Sequence, residues 1–244
     1  MSTLILSVHA ECYNHQLWRR LQKDFISKTV GDYEYGIIAN GNVPIDGTVK
    51  ARIGTKSSHI RGIQTAIEIF KSSTADNFVL LDSDCWPIRS DWIVIIERLL
   101  KTEYSYAAPV RTENFDLFPH PCAFFMLRSF IDHVDFGFKK MPNLLGKIVS
   151  DVGMAMPTTI DNKAVWYPLL KTNYISPHPL CASIYGDLFY HHCAGSRGAV
   201  FRSMSYGIYD HIFKQREHAA LHKSLTAELR RAPTVFINKL RGKS

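Results

Sequence analysis

Cysteine is scarce in this sequence and lies in no pattern that binds zinc or builds a disulfide framework. The five cysteines, Cys12, Cys85, Cys122, Cys181 and Cys193, are far apart, and none belongs to a CxxC pair. An odd, scattered set of this kind indicates a reducing compartment. Long apolar runs are lacking as well, since no stretch approaches the roughly 20 apolar residues that cross a bilayer. The sequence therefore predicts a cytoplasmic protein.

Acidic residues are outnumbered by basic ones, 22 against 29, which gives a formal net charge of +7. Such a balance suits an anionic ligand, an anionic membrane surface or nucleic acid. Much of the excess lies in one segment, as Lys214, Arg216, Lys223, Arg230, Arg231, Lys239, Arg241 and Lys243. We interpret residues 206–244 as a basic helical C-terminal extension.

Three roles stay open for this extension. It could pack against the domain, form a homodimer contact, or bind peripherally to the inner face of an anionic membrane. Nucleic-acid binding is disfavoured, because basic and aromatic residues do not interleave on a recognisable module.

Short apolar runs alternate with helix-like segments through the first hundred residues. The runs 4–8, 35–39 and 78–81 are typical of buried parallel strands. Apolar residues recur at helical spacing between and after them: Leu17, Leu21 and Phe25, then Ile60, Ile63, Ile67 and Phe70, then Ile93, Ile96 and Leu100. This alternation predicts an α/β fold with a mostly parallel sheet covered by helices on both faces.

The pattern changes after residue 104. Residues 104–110 and 122–127 predict two further strands, and 188–190 predicts a last one. Residues 134–185 show no clear period and contain several prolines, so we expect an irregular segment there: Pro142, Pro157, Pro168, Pro177 and Pro179.

The strongest chemical signal is an Asp-x-Asp motif that directly follows an apolar strand. Asp82 and Asp84 come after the run 78–81, and ligands of open α/β sheets bind at the carboxyl ends of the strands. Strand alternation would put both carboxylates on one side. We expect them to share a divalent cation, because oxygen ligands suit Mn²⁺ or Mg²⁺ and such ions bridge to a diphosphate. Aspartates that cap a turn would give the same pattern without a ligand.

Three segments carry a resemblance to a known family: 37–41 (Ile-Ile-Ala-Asn-Gly), 61–63 (Arg-Gly-Ile) and 78–87. In these segments and in their order, the sequence resembles family 2-like glycosyltransferases of the GT-A fold. The resemblance covers roughly residues 4–100. It implies a GT-A domain over residues 1–205, with a nucleotide-binding half (1–100) and an acceptor-binding half (101–205). It also implies transfer of a sugar from a nucleoside-diphosphate sugar, with a UDP-sugar favoured over a GDP-sugar. The acceptor would be a glycan, a lipid-linked glycan or a small molecule.

The resemblance also implies which residues contact the donor. They are His9, Glu11, Asn40, Arg61, Asp82, Ser83, Asp84 and Arg197. Where the family has an aspartate at the end of the second strand, this chain has Ala39, so Glu11 or Asn40 would supply the polar contacts.

A late histidine returns to the metal in many GT-A enzymes, and the pair His191 and His192 follows the last predicted strand. Strand alternation lets only one of them face the metal, and we favour His191. Arg197 would pair with diphosphate oxygens.

By family position, Asp151 is the expected base of an inverting mechanism at the start of a helix. Asp116 and Glu113, in the loop after Val110, are weaker alternatives. A retaining mechanism, which needs no such base, stays open.

Three other functional classes remain. A nucleotidyltransferase of similar topology is disfavoured, because residues 9–14 lack the glycine-rich basic loop of those enzymes. A relative that binds nucleotide sugar without turnover would carry the same Asp-x-Asp motif. A third alternative is a membrane- or nucleic-acid-binding module that acts through the basic extension. Deleting residues 209–244 would then abolish its main activity.

Overall fold

The computed structural model describes residues 1–10, 15–42, 49–54, 59–112, 115–137, 139–173 and 183–192. Its helices are α1 (His15–Ile26), α2 (His59–Ser72) and α3 (Trp92–Leu100), with a 3-10 helix at Arg128–His133. Among these residues, no helix is long and apolar enough to cross a membrane. Glu11, Glu113, Arg197 and the predicted extension over 206–244 lie outside the described residues, so their roles stay predictions.

A seven-stranded central sheet forms the core. Its strands in chain order are β1 (Thr3–Ala10), β2 (Tyr33–Asn40), β3 (Val49–Ile53), β4 (Asn77–Asp82), β6 (Tyr106–Pro109), β7 (Ala123–Leu127) and β12 (Trp166–Leu169). They lie in the order β12-β6-β7-β4-β1-β2-β3. Strand β7 runs antiparallel to both of its neighbours, and the other pairs are parallel.

Both faces of this sheet are buried, because the apolar side chains of β1 and β4 alternate between two clusters. On one face, Leu6 and Leu80 pack with Ile63 of α2. On the other, Ile5 and Val79 pack in a cluster with the apolar side of α3. The predicted α/β fold, a mostly parallel sheet flanked by helices, is confirmed.

Helix α2 lies unusually close to β1. A Cβ atom at Gly62 would come within 2.5 Å of Val8 Cγ1, so glycine permits this approach. The helix begins at His59 and leads back to the start of β4. Its first residue is therefore at the edge of the sheet where the parallel strands end.

Smaller sheets complete the fold. Strands β5 (Cys85–Pro87), β13 (Ser183–Tyr185) and β14 (Phe189–His191) form a three-stranded sheet in the order β13-β14-β5. Strands β8 (Lys139–Pro142) and β9 (Ile148–Asp151) form a hairpin, and β10 (Thr159–Ile160) pairs with β11 (Lys163–Ala164).

The expectation of an irregular segment over 134–185 is wrong where the structure describes it. That stretch contains the β8–β9 hairpin, the β10–β11 pair and β12, which is an edge strand of the central sheet. Pro168 in β12 is tolerated because an edge strand pairs on one side only. Strand β3, the other edge, is half-exposed and was not predicted.

Candidate metal centre

Asp82 and Asp84 lie at the carboxyl end of β4, between β1 and β7 in the central sheet. The strand ends at Asp82, whose backbone N–H donates to the Cys122 carbonyl at 2.9 Å. Ser83 and Asp84 then form a turn, and β5 begins at Cys85. The turn, rather than strand alternation as predicted, therefore brings the two carboxylates to one place.

Strand pairing places His191 beside this turn. In the antiparallel pairing of β14 with β5, His191 lies opposite Cys85. The backbone N–H of His192 extends the pairing with a 2.9 Å hydrogen bond to the Asp84 carbonyl. His191 Nε2 is consequently 3.6 Å from Asp84 Oδ1 and 3.8 Å from Asp82 Oδ2. One ligand atom from each of the three residues lies within 4.8 Å of the others.

His192 faces away from the carboxylates. Its ring packs 4.7 Å from the Trp18 ring, centroid to centroid, and its Nδ1 is 2.9 Å from the Tyr190 hydroxyl. Burial lowers the pKa of His192, so it is a neutral packing residue. The structure thus brings His191 to the aspartates and leaves His192 in an aromatic cluster.

The three side chains together suit a divalent cation. Two carboxylates and one imidazole are a common donor set for Mn²⁺, and the carboxylates also suit Mg²⁺. Burial opposes the charged form of His191, but the neighbouring Asp84 carboxylate favours it, and the pKa of His191 lies well above its ordinary value. The site thus favours a positive charge between the carboxylates, which a bound cation would supply while displacing the imidazole proton.

His59, at the first position of α2, was not predicted as a site residue. Its Nε2 is 3.1 Å from Asp82 Oδ1, whereas the other oxygen of Asp82 faces His191. Burial opposes protonation, but Asp82, followed by Asp84 and Asp151, raises the pKa of His59. Since only tertiary packing joins α2 to β4, the sequence gives no direct signal of this contact.

Gln22, on the buried side of α1, holds the turn formed by Ser83 and Asp84 in place through hydrogen bonds. We call this turn the carboxylate turn. Its Nε2 donates to the carbonyl oxygens of Asp82 at 2.9 Å and Cys85 at 2.6 Å. Its Oε1 accepts from the Tyr35 hydroxyl at 2.8 Å and faces His9 Nε2 at 3.0 Å. His9 is fully buried, so it belongs to this support and not to a surface that a nucleotide could reach. A glutamine within the apolar stripe of α1 is the sequence signal for this role.

The first polar centre of the site is the group formed by Asp82, Asp84 and His191. Arg111 forms a second polar centre with two further aspartates. Its Nη2 lies 2.6 Å from Asp151 Oδ2 and 3.0 Å from Asp116 Oδ2. Burial opposes the charge, but Asp151 and Asp116 outweigh it and raise the pKa of Arg111. Asp151 ends β9, so the prediction that it begins a helix is wrong. Its other oxygen, Oδ1, accepts from the Val152 N–H at 2.8 Å.

His120 lies between the two centres. Its ring centroid is 5.9 Å from that of His191, and its Nδ1 accepts from the Cys122 N–H at 3.3 Å. Burial, reinforced by Arg111 and His191, lowers the pKa of His120 well below its ordinary value. His120 is therefore a neutral imidazole that carries its hydrogen on Nε2.

The remaining predicted donor contacts are dispersed around this edge. Asn40 is buried at the end of β2, Ser83 is half-buried in the carboxylate turn, and Arg61 is exposed on α2. Their contacts with a nucleotide stay predictions.

No family model matches this sequence. No curated protein matches it either. Among solved structures, A197 from STIV has 14% identity and a TM-score of 0.41 over 82% of this chain and 98% of its own. The mannosyltransferase PcManGT from Pyrobaculum calidifontis, in complex with GDP-Man and Mn²⁺, has 12% identity and a TM-score of 0.39 over 57% of this chain and 47% of its own. S. aureus TarS 1-349, in complex with UDP, has 9% identity and a TM-score of 0.38 over 69% of this chain and 61% of its own. All three TM-scores lie below 0.5, so these likenesses assign neither a family nor a function.

Proposed function

We propose that this protein is a glycosyltransferase that uses a nucleoside-diphosphate sugar and a divalent cation. The observation that carries the proposal is the group formed by Asp82, Asp84 and His191, whose ligand atoms lie within 4.8 Å of one another. The group stands at the carboxyl end of a central strand, where ligands of open α/β sheets bind.

Mn²⁺ or Mg²⁺ would be held by these three side chains. When bound, the ion would neutralise the negative charge of a diphosphate as the bond to the sugar breaks. His59 would fix Asp82 through its Oδ1 contact, and Gln22 would fix the turn through two carbonyl oxygens. Neither residue needs to touch the ion to hold its ligands in place.

The nucleoside part of the donor would lie beside the ends of β1 and β2, with Asn40 and Arg61 as contacts. A UDP-sugar is the favoured donor and a GDP-sugar the alternative. The acceptor would be a glycan, a lipid-linked glycan or a small molecule. The cytoplasmic location, the homodimer and the membrane contact of the basic extension stay proposals.

Asp151 is the proposed base of an inverting reaction. Its carboxylate remains half-exposed, so an acceptor hydroxyl can reach it. The hydrogen bonds from Arg111 and Val152 fix its orientation, which is what proton removal at a set position requires. Asp151 is also one of the carboxylates that raise the pKa of His59, the histidine in contact with Asp82.

Thermal unfolding with different nucleotides tests the proposal. UDP, GDP and the other nucleoside diphosphates would be added with and without Mn²⁺ to the wild type and to Asp84→Asn. At a ligand concentration of 100 times Kd the stabilisation is about 2.7 kcal/mol, or roughly 5–10 °C in Tm for a chain of this size. We expect one nucleotide to give this shift only with metal, and Asp84→Asn to lose it.

The matched control is Asp132→Asn. Asp132 is exposed on the 3-10 helix, which follows β7 at the opposite edge of the sheet. This variant should keep the full shift. The proposal is contradicted if folded wild type is not stabilised by any nucleotide, or if Asp84→Asn is stabilised equally.

A further inference from the structure

The β8–β9 hairpin exposes large apolar side chains that the proposed chemistry does not use. Leu144 and Leu145 in its turn are 57% and 68% exposed, and Ile148 at the start of β9 is 62% exposed. Phe115, which is 45% exposed, joins them because its carbonyl accepts the Leu144 N–H at 3.0 Å. We call these four residues the apolar tip.

Three lysines lie on the same hairpin as the apolar tip, Lys147 in its turn and Lys139 and Lys140 at the start of β8. Lys139, Lys140 and Lys147 are all exposed, and Asp151 is the one acidic residue in the stretch 139–151. Arg111 pairs with both Asp151 and Asp116, so this group carries a net charge of −1 against the three positive charges of the lysines. Exposed leucines flanked by lysines are what an anionic bilayer binds, because the apolar groups enter the interface while the ammonium groups meet the lipid headgroups.

A protein partner fits this surface less well. A stable protein interface engages about 20 residues on each side, whereas the apolar tip offers four side chains. Strands β8 and β9 form a separate two-stranded sheet. The apolar tip is therefore not continuous with a larger apolar face of the described sheets.

We propose that the apolar tip and its three lysines are a docking surface for anionic lipid membranes. This surface contains no residue of the predicted basic extension over 206–244.

Arg111 connects this surface to the candidate site. It pairs with Asp116, the neighbour of Phe115, and with Asp151, the last residue of β9. The segment that carries Phe115 and the β8–β9 hairpin are therefore both anchored to the guanidinium of Arg111. On the proposed function, a membrane bound here would bring a lipid-linked acceptor towards Asp151; membrane binding itself does not depend on that function.

Vesicle cosedimentation of the full chain tests the docking surface. Vesicles of phosphatidylcholine alone would be compared with vesicles that also contain phosphatidylserine. We expect the wild type to bind the anionic vesicles. The double variant Leu144→Ser/Leu145→Ser should bind them at least about tenfold more weakly, since each leucine loses its burial in the interface.

Neutralising the lysines tests the charge. Each lysine near an anionic surface contributes about a fivefold gain, so Lys139→Gln/Lys140→Gln/Lys147→Gln should weaken binding to anionic vesicles by roughly a hundredfold. The matched control, Lys28→Gln/Lys71→Gln/Lys101→Gln, removes three exposed lysines at the opposite edge of the sheet and should change binding much less.

Val30→Ser is the apolar control. Val30 is 59% exposed and precedes β2, far from the hairpin along the sheet. A separate variant, Leu144→Trp, should show a blue shift of its tryptophan emission with anionic vesicles. This readout does not depend on how the serine variants fold.

Three results would overturn the proposal. The first is that the wild type does not bind anionic vesicles. The second is that the hairpin variants bind as well as the wild type, which would assign binding to the basic extension. The third is a wild-type dimer that Leu144→Ser/Leu145→Ser converts to monomer without vesicle binding, which would make the tip a contact between copies. If the wild type binds anionic vesicles but no nucleotide stabilises it against thermal unfolding, the result would count against the proposed function alone.

Discussion

Replacing Gln22 should destabilise the whole fold as well as the candidate site. The side chain is fully buried and uses both donors and both acceptor positions of its amide. The orientation of the amide follows from its partners, because the carbonyl oxygens of Asp82 and Cys85 can only accept. Tyr35 and His9 then supply hydrogens to the oxygen.

Gln22→Met keeps the volume of the side chain and removes all four hydrogen bonds. Each buried polar group left without its partner costs about 1–3 kcal/mol. With some relaxation of the two carbonyls, we expect a loss of about 4 kcal/mol. That is a large share of the roughly 5–15 kcal/mol by which domains are stable.

Urea unfolding followed by tryptophan fluorescence measures this loss. With a slope m of about 2–3 kcal/mol/M, the midpoint should fall by about 1.3–2 M. Gln64→Met, on the exposed side of α2, is the control and should change stability by less than about 0.5 kcal/mol. A midpoint for Gln22→Met within about 0.3 M of wild type would refute the proposed support of the carboxylate turn.

Three further substitutions test other parts of the structure. His59→Asn should weaken Mn²⁺ binding by about 10–100-fold in a calorimetric titration, because Asp82 loses the contact that orients it. Gly62→Ala should destabilise the fold by about 1–3 kcal/mol, because the new methyl group would overlap Val8 at 2.5 Å. Asp151→Asn should lower sugar transfer by about 10²–10⁴-fold while nucleotide binding is kept.

Each of these has a control. His133→Asn changes an exposed histidine on the 3-10 helix and should leave Mn²⁺ affinity unchanged. Val8→Ala combined with Gly62→Ala should lose less stability than the sum of the two single variants, since the first makes room for the second. Asp161→Asn, in the exposed turn between β10 and β11, should keep full transfer. For His59 and Asp151, equal effects in variant and control would contradict the assignment; for Gly62, a loss in the double variant equal to the sum of the two single losses would contradict it.

The first half of the fold could be predicted because its strands are buried and its helices are periodic. Strands β1, β2 and β4 are apolar runs, and the spacing in α2 and α3 matches one buried face. The edge strands β3 and β12 could not be found in the same way. Their residues are partly exposed and β12 contains Pro168, so neither shows a buried run.

The site could be predicted only in part, for a related reason. Asp82 and Asp84 follow a strong strand signal. The choice of His191 over His192 depends on the register between β14 and β5, which no local pattern reveals. His59 reaches Asp82 through the packing of α2 on the sheet.

Asp151 is predicted as the base only from its position in a family pattern. That pattern does not show its pairing with Arg111 or its place at the end of a strand. Whether it acts as the base remains a prediction.

A crystal soaked in Mn²⁺, with anomalous diffraction recorded at an energy where manganese scatters, tests the central claim most directly. We predict one strong anomalous peak in contact with Asp82, Asp84 and His191. An ion bound elsewhere, or a map that shows no peak while the His191 imidazole stays between the two carboxylates, would contradict the assignment of this group as the metal centre.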